Sequence, residues 1–226
     1  MTKYQRYQDY VIRDGRFVGE FEQMYQDFAD PWHASTAEHF ASDKAVGLNL
    51  LSRLKARGGA RRIVELGCGL GHYSARIAAL GLEVCGVDVS ATAIATARER
   101  HGAGGAEFVV GKVDDYDVLR KYRPDVVVMA EITWYVLEQL PGFLQFLRSE
   151  LPDTYVLHLL STYPPGVQKY GAEFFIDLPG IKKYFGMRYL ESGEVHLPGG
   201  NRTWFLGTYS SDRETVWNAQ QEPSER

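Results

Sequence analysis

The segment Glu65-Leu66-Gly67-Cys68-Gly69-Leu70-Gly71 sets an acid before three alternating glycines. Glycine reaches positive φ freely and has no Cβ to hold a ligand away from the backbone. Where such a run leads from a strand into a helix, the first N–H groups of the helix and the positive end of its dipole face the bound molecule. Asp88 ends the next apolar run, where a carboxylate can accept both hydroxyls of a ribose. Together these residues have the chemistry to hold an adenosine-type ligand. Glycines alone also fit a plain strand-to-helix turn.

A second set of residues could act on whatever lies beside that ligand. Glu131 and His158 stand at or near the ends of later strands and are the candidate catalytic bases. Trp32, Trp134, Tyr135 and Tyr163 could wall a substrate site by stacking. Each also has a structural reading: Glu131 as a helix cap, His158 as a hydrogen-bonded core histidine, and the aromatic residues as packing.

These groups need a frame, and the pattern of apolar runs supplies one. Ile63–Leu66, Glu83–Asp88, Ala106–Val110, Asp125–Ala130 and Tyr155–Leu160 are short apolar strands. Helical patterns lie between them: His72–Leu80, Ala91–Arg98 with Ser90 as N-cap, and Thr133–Ser149. Strands separated by helix-length crossovers imply a parallel sheet, and the continuous run Val126-Val127-Val128-Met129 fits a strand covered on both faces. Near the end, Pro198-Gly199-Gly200-Asn201 separates two further strands and predicts an antiparallel hairpin. Upstream, Ala37, Phe40, Ala45, Leu48, Leu51 and Leu54 predict one helix over 35–57. The boundaries expected are an arm or lid over 1–34, the catalytic domain over 35–210, and a polar, frayed tail over 211–226.

The chain has 226 residues, 45% hydrophobic and 24% charged, with a net charge of −4 at pH 7. That is enough apolar surface for one α/β core. The charges are mixed, without the concentrated basic face that gripping a phosphate backbone needs, so a nucleic-acid partner is disfavoured. Neither Cys68 nor Cys85 belongs to a CxxC pair, which argues against a disulfide framework or a metal site. No signal peptide or membrane-spanning run is seen, and the expected location is cytoplasmic, with no membrane partner.

Val64-Glu65-Leu66-Gly67-Cys68-Gly69-Leu70-Gly71 resembles the first motif of class I S-adenosylmethionine-dependent methyltransferases, and Gly86-Val87-Asp88-Val89-Ser90 resembles their second. Gly111-Lys112-Val113-Asp114-Asp115 sits where their adenine-contacting segment lies, although Lys112 stands where the family often has an acid. The resemblance covers about Arg61 to Tyr209. It implies a Rossmann-like three-layer sandwich, with a seven-stranded, mostly parallel sheet closed by an antiparallel C-terminal hairpin. It also implies S-adenosyl-L-methionine as cofactor. Glu65, Gly67, Cys68, Gly69 and Gly71 would approach its methionine and ribose, and Asp88 would hold the diol. Val89, Val113 and Asp114 would surround the adenine, and Glu131 would contact the cofactor or the acceptor. More narrowly, Ala130-Glu131-Ile132-Thr133-Trp134-Tyr135-Val136-Leu137 and Asp30-Pro31-Trp32 resemble N-methyltransferases of chitooligosaccharide nodulation factors.

The function so implied is methylation of a small molecule: a sugar, an amino sugar or a natural-product intermediate, at oxygen or nitrogen. A hydroxyl needs a base nearby, whereas a neutral amine needs chiefly to be positioned. The Pro-rich tract Ser161–Tyr170 and the arm are the expected cover over the acceptor. Two alternatives share parts of the pattern. A nicotinamide-dependent oxidoreductase has the same strand, turn and distal acid but usually the spacing GxGxxG. A catalytically silent scaffold would keep the cofactor residues without turnover.

Overall fold

The structure, a computed structural model, describes residues 2–219 except 37, 41, 165 and 169. The arm opens with a 3-10 turn at Tyr7–Tyr10, forms the hairpin β1 (Ile12–Arg13) and β2 (Arg16–Phe17), turned by Asp14-Gly15 with both residues at positive φ, and continues into α1 (Phe21–Asp27). The domain then runs α2 (Asp43–Ala56), β3 (Arg62–Leu66), α3 (His72–Ala78), β4 (Glu83–Asp88), α4 (Ala91–His101), β5 (Ala106–Val110), α5 (Tyr116–Tyr122) and β6 (Val126–Ala130). It closes with α6 (Leu140–Glu150), β7 (Tyr155–Thr162), α7 (Leu178–Phe185), β8 (Arg188–Leu197), β9 (Gly200–Thr208) and α8 (Ser211–Ala219).

Seven strands form one sheet in the order β5-β4-β3-β6-β7-β9-β8. The first five positions are parallel, and β9 enters antiparallel between β7 and β8. The expected architecture is therefore present, including the closing hairpin. In β6 and β7 nearly every residue is buried, as strands covered on both faces must be. Alternation sends Val64, Leu66, Val127 and Met129 to one core with α5, α6 and α7, and Ile63, Val126 and Val128 to the other with α2, α3, α4 and α8.

Register fixes the position of the site. Leu66 pairs with Val87 on one side and Met129 on the other, so the carboxyl ends of β3, β4 and β6 are level. The chain order reverses between β3 and β6, and such a switch point opens a crevice outside the carboxyl edge of the sheet.

Three expected elements differ. The helix over 35–57 is divided: a 3-10 turn at Glu38–Phe40 is followed by α2 from Asp43, because Ser42 lies at φ 55°, outside the helical region. Ala37 of that expected helix lies outside the described residues. The helix over 133–149 is likewise a 3-10 turn at Thr133–Tyr135 and then α6, with Pro141 in its first turn. Proline there lacks only an N–H that has no intrahelical partner, whereas deeper in a helix it would break a bond and clash. The segment read as a polar tail forms α8 as far as Ala219. Trp217 is buried against α2 with the guanidinium groups of Arg53 and Arg57 over its ring, at 4.9 and 4.5 Å. The stretch 220–226 of that tail lies outside the described residues.

Candidate active site

At the carboxyl edge of the sheet the chain encloses a cavity of about 770 Å³. One end is the glycine turn. Gly67, Gly69 and Gly71 all have positive φ, at 70°, 52° and 79°. At Gly69 this freedom serves close approach, because an added Cβ would lie 2.6 Å from the Tyr25 hydroxyl. Gly71 differs from expectation: it does not line the cavity. A Cβ there would strike Phe108 and Ala97 at 2.7–2.9 Å, so this glycine lets α3 settle against its neighbours.

Asp88 fastens the turn to the next strand. Its Oδ2 accepts from Gly69 N at 2.9 Å and its Oδ1 from Ser90 N at 2.9 Å. Burial raises its pKa, and the two backbone donors oppose that rise. Val89, 46% exposed, and Val113 and Asp114 line the same end of the cavity. Lys112 lines it with them. Alternating glycines, a tethered carboxylate and an apolar shelf form a cradle that fits S-adenosylmethionine.

The opposite end is polar. Glu131 follows β6 at φ 62°, a conformation that costs a non-glycine residue about 1–3 kcal/mol and persists only where its surroundings enforce it. Ser161 at the end of β7 supplies that enforcement, donating its N–H to Glu131 Oε2 at 3.0 Å and its hydroxyl to Oε1 at 2.7 Å. Two cations approach the same oxygen, Arg202 at 3.5 Å and Lys44 at 4.0 Å. Lys44 and its neighbour Asp43, the first residue of α2, are 5% and 1% exposed. Burial pushes Asp43 up to about 6, with Lys44 opposing. Glu65 is pushed up to about 7, again by burial, with the Ser74 hydroxyl and then Lys44 opposing.

The arm supplies an aromatic side of the cavity. Tyr7, Phe17, Phe21, Tyr25 and Trp32 line the cavity. The Trp32 and Tyr135 rings lie 5.7 Å apart, and Tyr163 completes this wall, 43% exposed. Of the Pro-rich tract that contains Tyr163, Pro165 and Lys169 lie outside the described residues.

Two expected site residues lie elsewhere. His158 is fully buried, stacked on Phe205 with ring centroids 4.8 Å apart, and does not line the cavity. Its Nε2 is 2.7 Å from the Thr133 hydroxyl, and burial pushes it down to about 3. It cannot serve as the base. Trp134 is turned into the core against Phe175, its indole N–H donating to the Ser161 carbonyl at 2.8 Å, so it forms no part of the substrate wall. In both cases the strand or turn points the side chain away from the crevice. Asp43, Lys44, Arg202 and Tyr25 were not anticipated. An acid that opens a helix is indistinguishable in sequence from one that serves the helix dipole, and Arg202 reaches the site only through the closing hairpin.

Residues 63–151 match the methyltransferase-domain family. Among solved structures the chain is similar to magnesium protoporphyrin IX methyltransferase from Synechocystis PCC 6803 with bound S-adenosylhomocysteine, at 16% identity and a TM-score of 0.57 over 74% of this chain and 83% of that one. The bifunctional kinase-methyltransferase WbdD matches at 19% identity and a TM-score of 0.56, over 74% of this chain and 39% of that one. An O-methyltransferase family protein from Burkholderia thailandensis matches at 18% identity and a TM-score of 0.52, covering 75% and 57%. The chain thus spans about two fifths of the length of WbdD. A comparison with curated protein sequences finds no match. Over residues 63–151 the chain matches a methyltransferase domain, set in the fold that these solved structures share.

Proposed function

We propose that this chain methylates a small molecule with S-adenosyl-L-methionine as donor, the acceptor being a sugar, an amino sugar or a natural-product intermediate. The observation that carries this is the single cavity running from the Gly67–Gly69 turn and Asp88 to the polar floor of Asp43, Lys44, Glu131 and Arg202. Its volume suits a cofactor with a modest acceptor rather than a macromolecule. The bound cofactor supplies an activated methyl group on a sulfonium. The Gly67–Gly69 backbone, Asp88, Val89, Val113 and Asp114 would hold it, and Asp88 would take the ribose hydroxyls. Trp32, Tyr135 and Tyr163 would stack on the acceptor and exclude water, which suits a sugar ring with its polar edge on the charged floor. The arm would act as the lid. Glu131, tied down by Ser161, positions groups rather than removing a proton.

Calorimetric titration with S-adenosylhomocysteine and with NADH tests the cofactor assignment. S-adenosylhomocysteine should bind and NADH should not; binding of NADH alone would return the chain to the oxidoreductases. Turnover of radiolabelled methyl onto a panel of sugars and amino sugars tests the acceptor class.

A further inference from the structure

Asp43 has an oxygen with nothing to accept from. The residue is 1% exposed and lines the cavity, yet its Oδ2 meets no donor among the described residues. Buried carboxylate oxygens are ordinarily hydrogen-bonded, and an unpaired one is costly to keep. Other carboxylates along this edge of the sheet are engaged. Glu65 accepts from the Ser74 hydroxyl, Asp88 from Gly69 and Ser90, and Glu131 from Ser161. The two nearby cations, Lys44 and Arg202, lean toward Glu131. His158, the other sequence candidate for a base, is sealed in the core.

We infer that Asp43 is the proton acceptor of methyl transfer, its Oδ2 facing the nucleophilic hydroxyl or amine of the acceptor molecule. This rests on the methyltransferase reading above. The acceptor's oxygen or nitrogen bonds to the methyl carbon as the methyl–sulfur bond breaks and its electron pair stays on sulfur. The proton released from the acceptor passes to Asp43 Oδ2 and then to solvent. A carboxylate raised to about 6 is well matched to such a task near neutral pH. The charged and titratable groups that face it are Lys44 on its own helix, Glu131 just after β6, Arg202 from β9 and Tyr73 from α3.

Two cofactor analogues test this without knowledge of the acceptor. Sinefungin carries an amine where S-adenosylmethionine carries the transferable methyl, and S-adenosylhomocysteine carries nothing there. Wild-type protein should bind sinefungin about tenfold more tightly at neutral pH, the scale of a charge-assisted hydrogen bond. That preference should fade as pH falls below about 6. Asp43→Asn should hold S-adenosylhomocysteine as before and lose the preference, and Asp43→Ala should repeat the result with a smaller side chain. Preference retained in both variants, equal weakening of both analogues, or no preference in the wild type overturns the inference while leaving the cofactor assignment standing. Failure of the wild type to bind S-adenosylhomocysteine at all is a different result and removes the cofactor assignment, and the inference with it.

Discussion

Glu22 of the arm caps helix α4 through Ser90. Its carboxylate accepts from the Ser90 hydroxyl at 2.7 Å, from the Thr92 hydroxyl at 2.6 Å and from Thr92 N at 3.2 Å. Ser90 in turn accepts from Ala93 N at 3.1 Å, as an N-cap does, and its own N–H is held by Asp88. The arm is therefore joined to the residue that follows the two candidate cofactor positions Asp88 and Val89. The Ser90 and Thr92 hydroxyls hold Glu22 down at about 2. Glu22→Ala should destabilise the protein by about 1–2 kcal/mol, the usual scale for losing a helix cap. Because the folded pKa lies below the ordinary value of 4.5, this stability is present above pH 4.5 and is lost as pH falls toward 2. Urea denaturation of wild type and variant at neutral pH and at acid pH checks both parts. An equal difference at the two pH values would show that Glu22 acts by packing.

Asp88 does two jobs, and substitution should separate them. Both oxygens already accept backbone N–H groups, so the carboxylate shapes the glycine turn as well as facing the cavity. Asp88→Ala should weaken S-adenosylhomocysteine binding by about 100-fold or more, the combined loss of a charged ribose partner and of the turn's tether. Asp88→Asn retains one carbonyl oxygen and should fall between. Calorimetry gives the affinities, and a variant that binds like the wild type would take Asp88 out of the cofactor site.

Gly71 and Gly58 share a backbone conformation but not their surroundings. Both have positive φ, 79° and 71°, yet a Cβ on Gly58 would meet nothing within 4 Å. Gly58→Ala should therefore cost about 1 kcal/mol, the price of the left-handed conformation alone. Gly71→Ala adds collisions with Phe108 and Ala97 in a packed layer and should cost about 1–3 kcal/mol more. Denaturation midpoints of the two variants check the difference; similar values would mean that α3 moves aside freely.

Much of this arrangement was legible in the sequence, for local reasons. A run of buried strands with helix-length crossovers leaves few topologies, and the pair formed by the glycine turn and Asp88 marks the carboxyl edge by itself. What stayed hidden depends on contacts between distant segments. Lys44 and Arg202 meet at Glu131 only because α2 and β9 both pack against β7, the neighbour of β6. Ser42 breaks the predicted helix through a backbone conformation that its residue type does not announce. Trp217 belongs to the core because Arg53 and Arg57 cover its ring, a contact outside any local pattern. His158 and Trp134 were misplaced for the opposite reason: their residue types suggest chemistry, and only the direction of the side chain shows packing.

His158 makes the protein's acid stability testable. Burial among Phe185 and Phe205 holds it neutral, with a folded pKa of about 3 against an ordinary value of 6.5. A histidine whose folded pKa is lowered contributes stability that is full above pH 6.5 and is lost as pH falls toward 3, because the unfolded chain binds the proton first. The loss over that window is several kcal/mol. Asp43 and Glu65 work in the other direction. Their raised values, about 6 and about 7, favour the folded state at low pH and withdraw that support as pH rises through them. Between pH 6.5 and 4.5 the opposing groups therefore partly cancel, and below pH 4.5 His158 and Glu22 both drive unfolding. His158→Leu removes the imidazole and its bond to Thr133 and keeps an apolar side chain in the core. It should lower stability at neutral pH by about 1–3 kcal/mol, chiefly through the unpaired Thr133 hydroxyl. It should also flatten the decline between pH 6.5 and 3. Denaturation across that range distinguishes the outcomes, and an unchanged acid slope would mean that His158 titrates normally and is open to solvent.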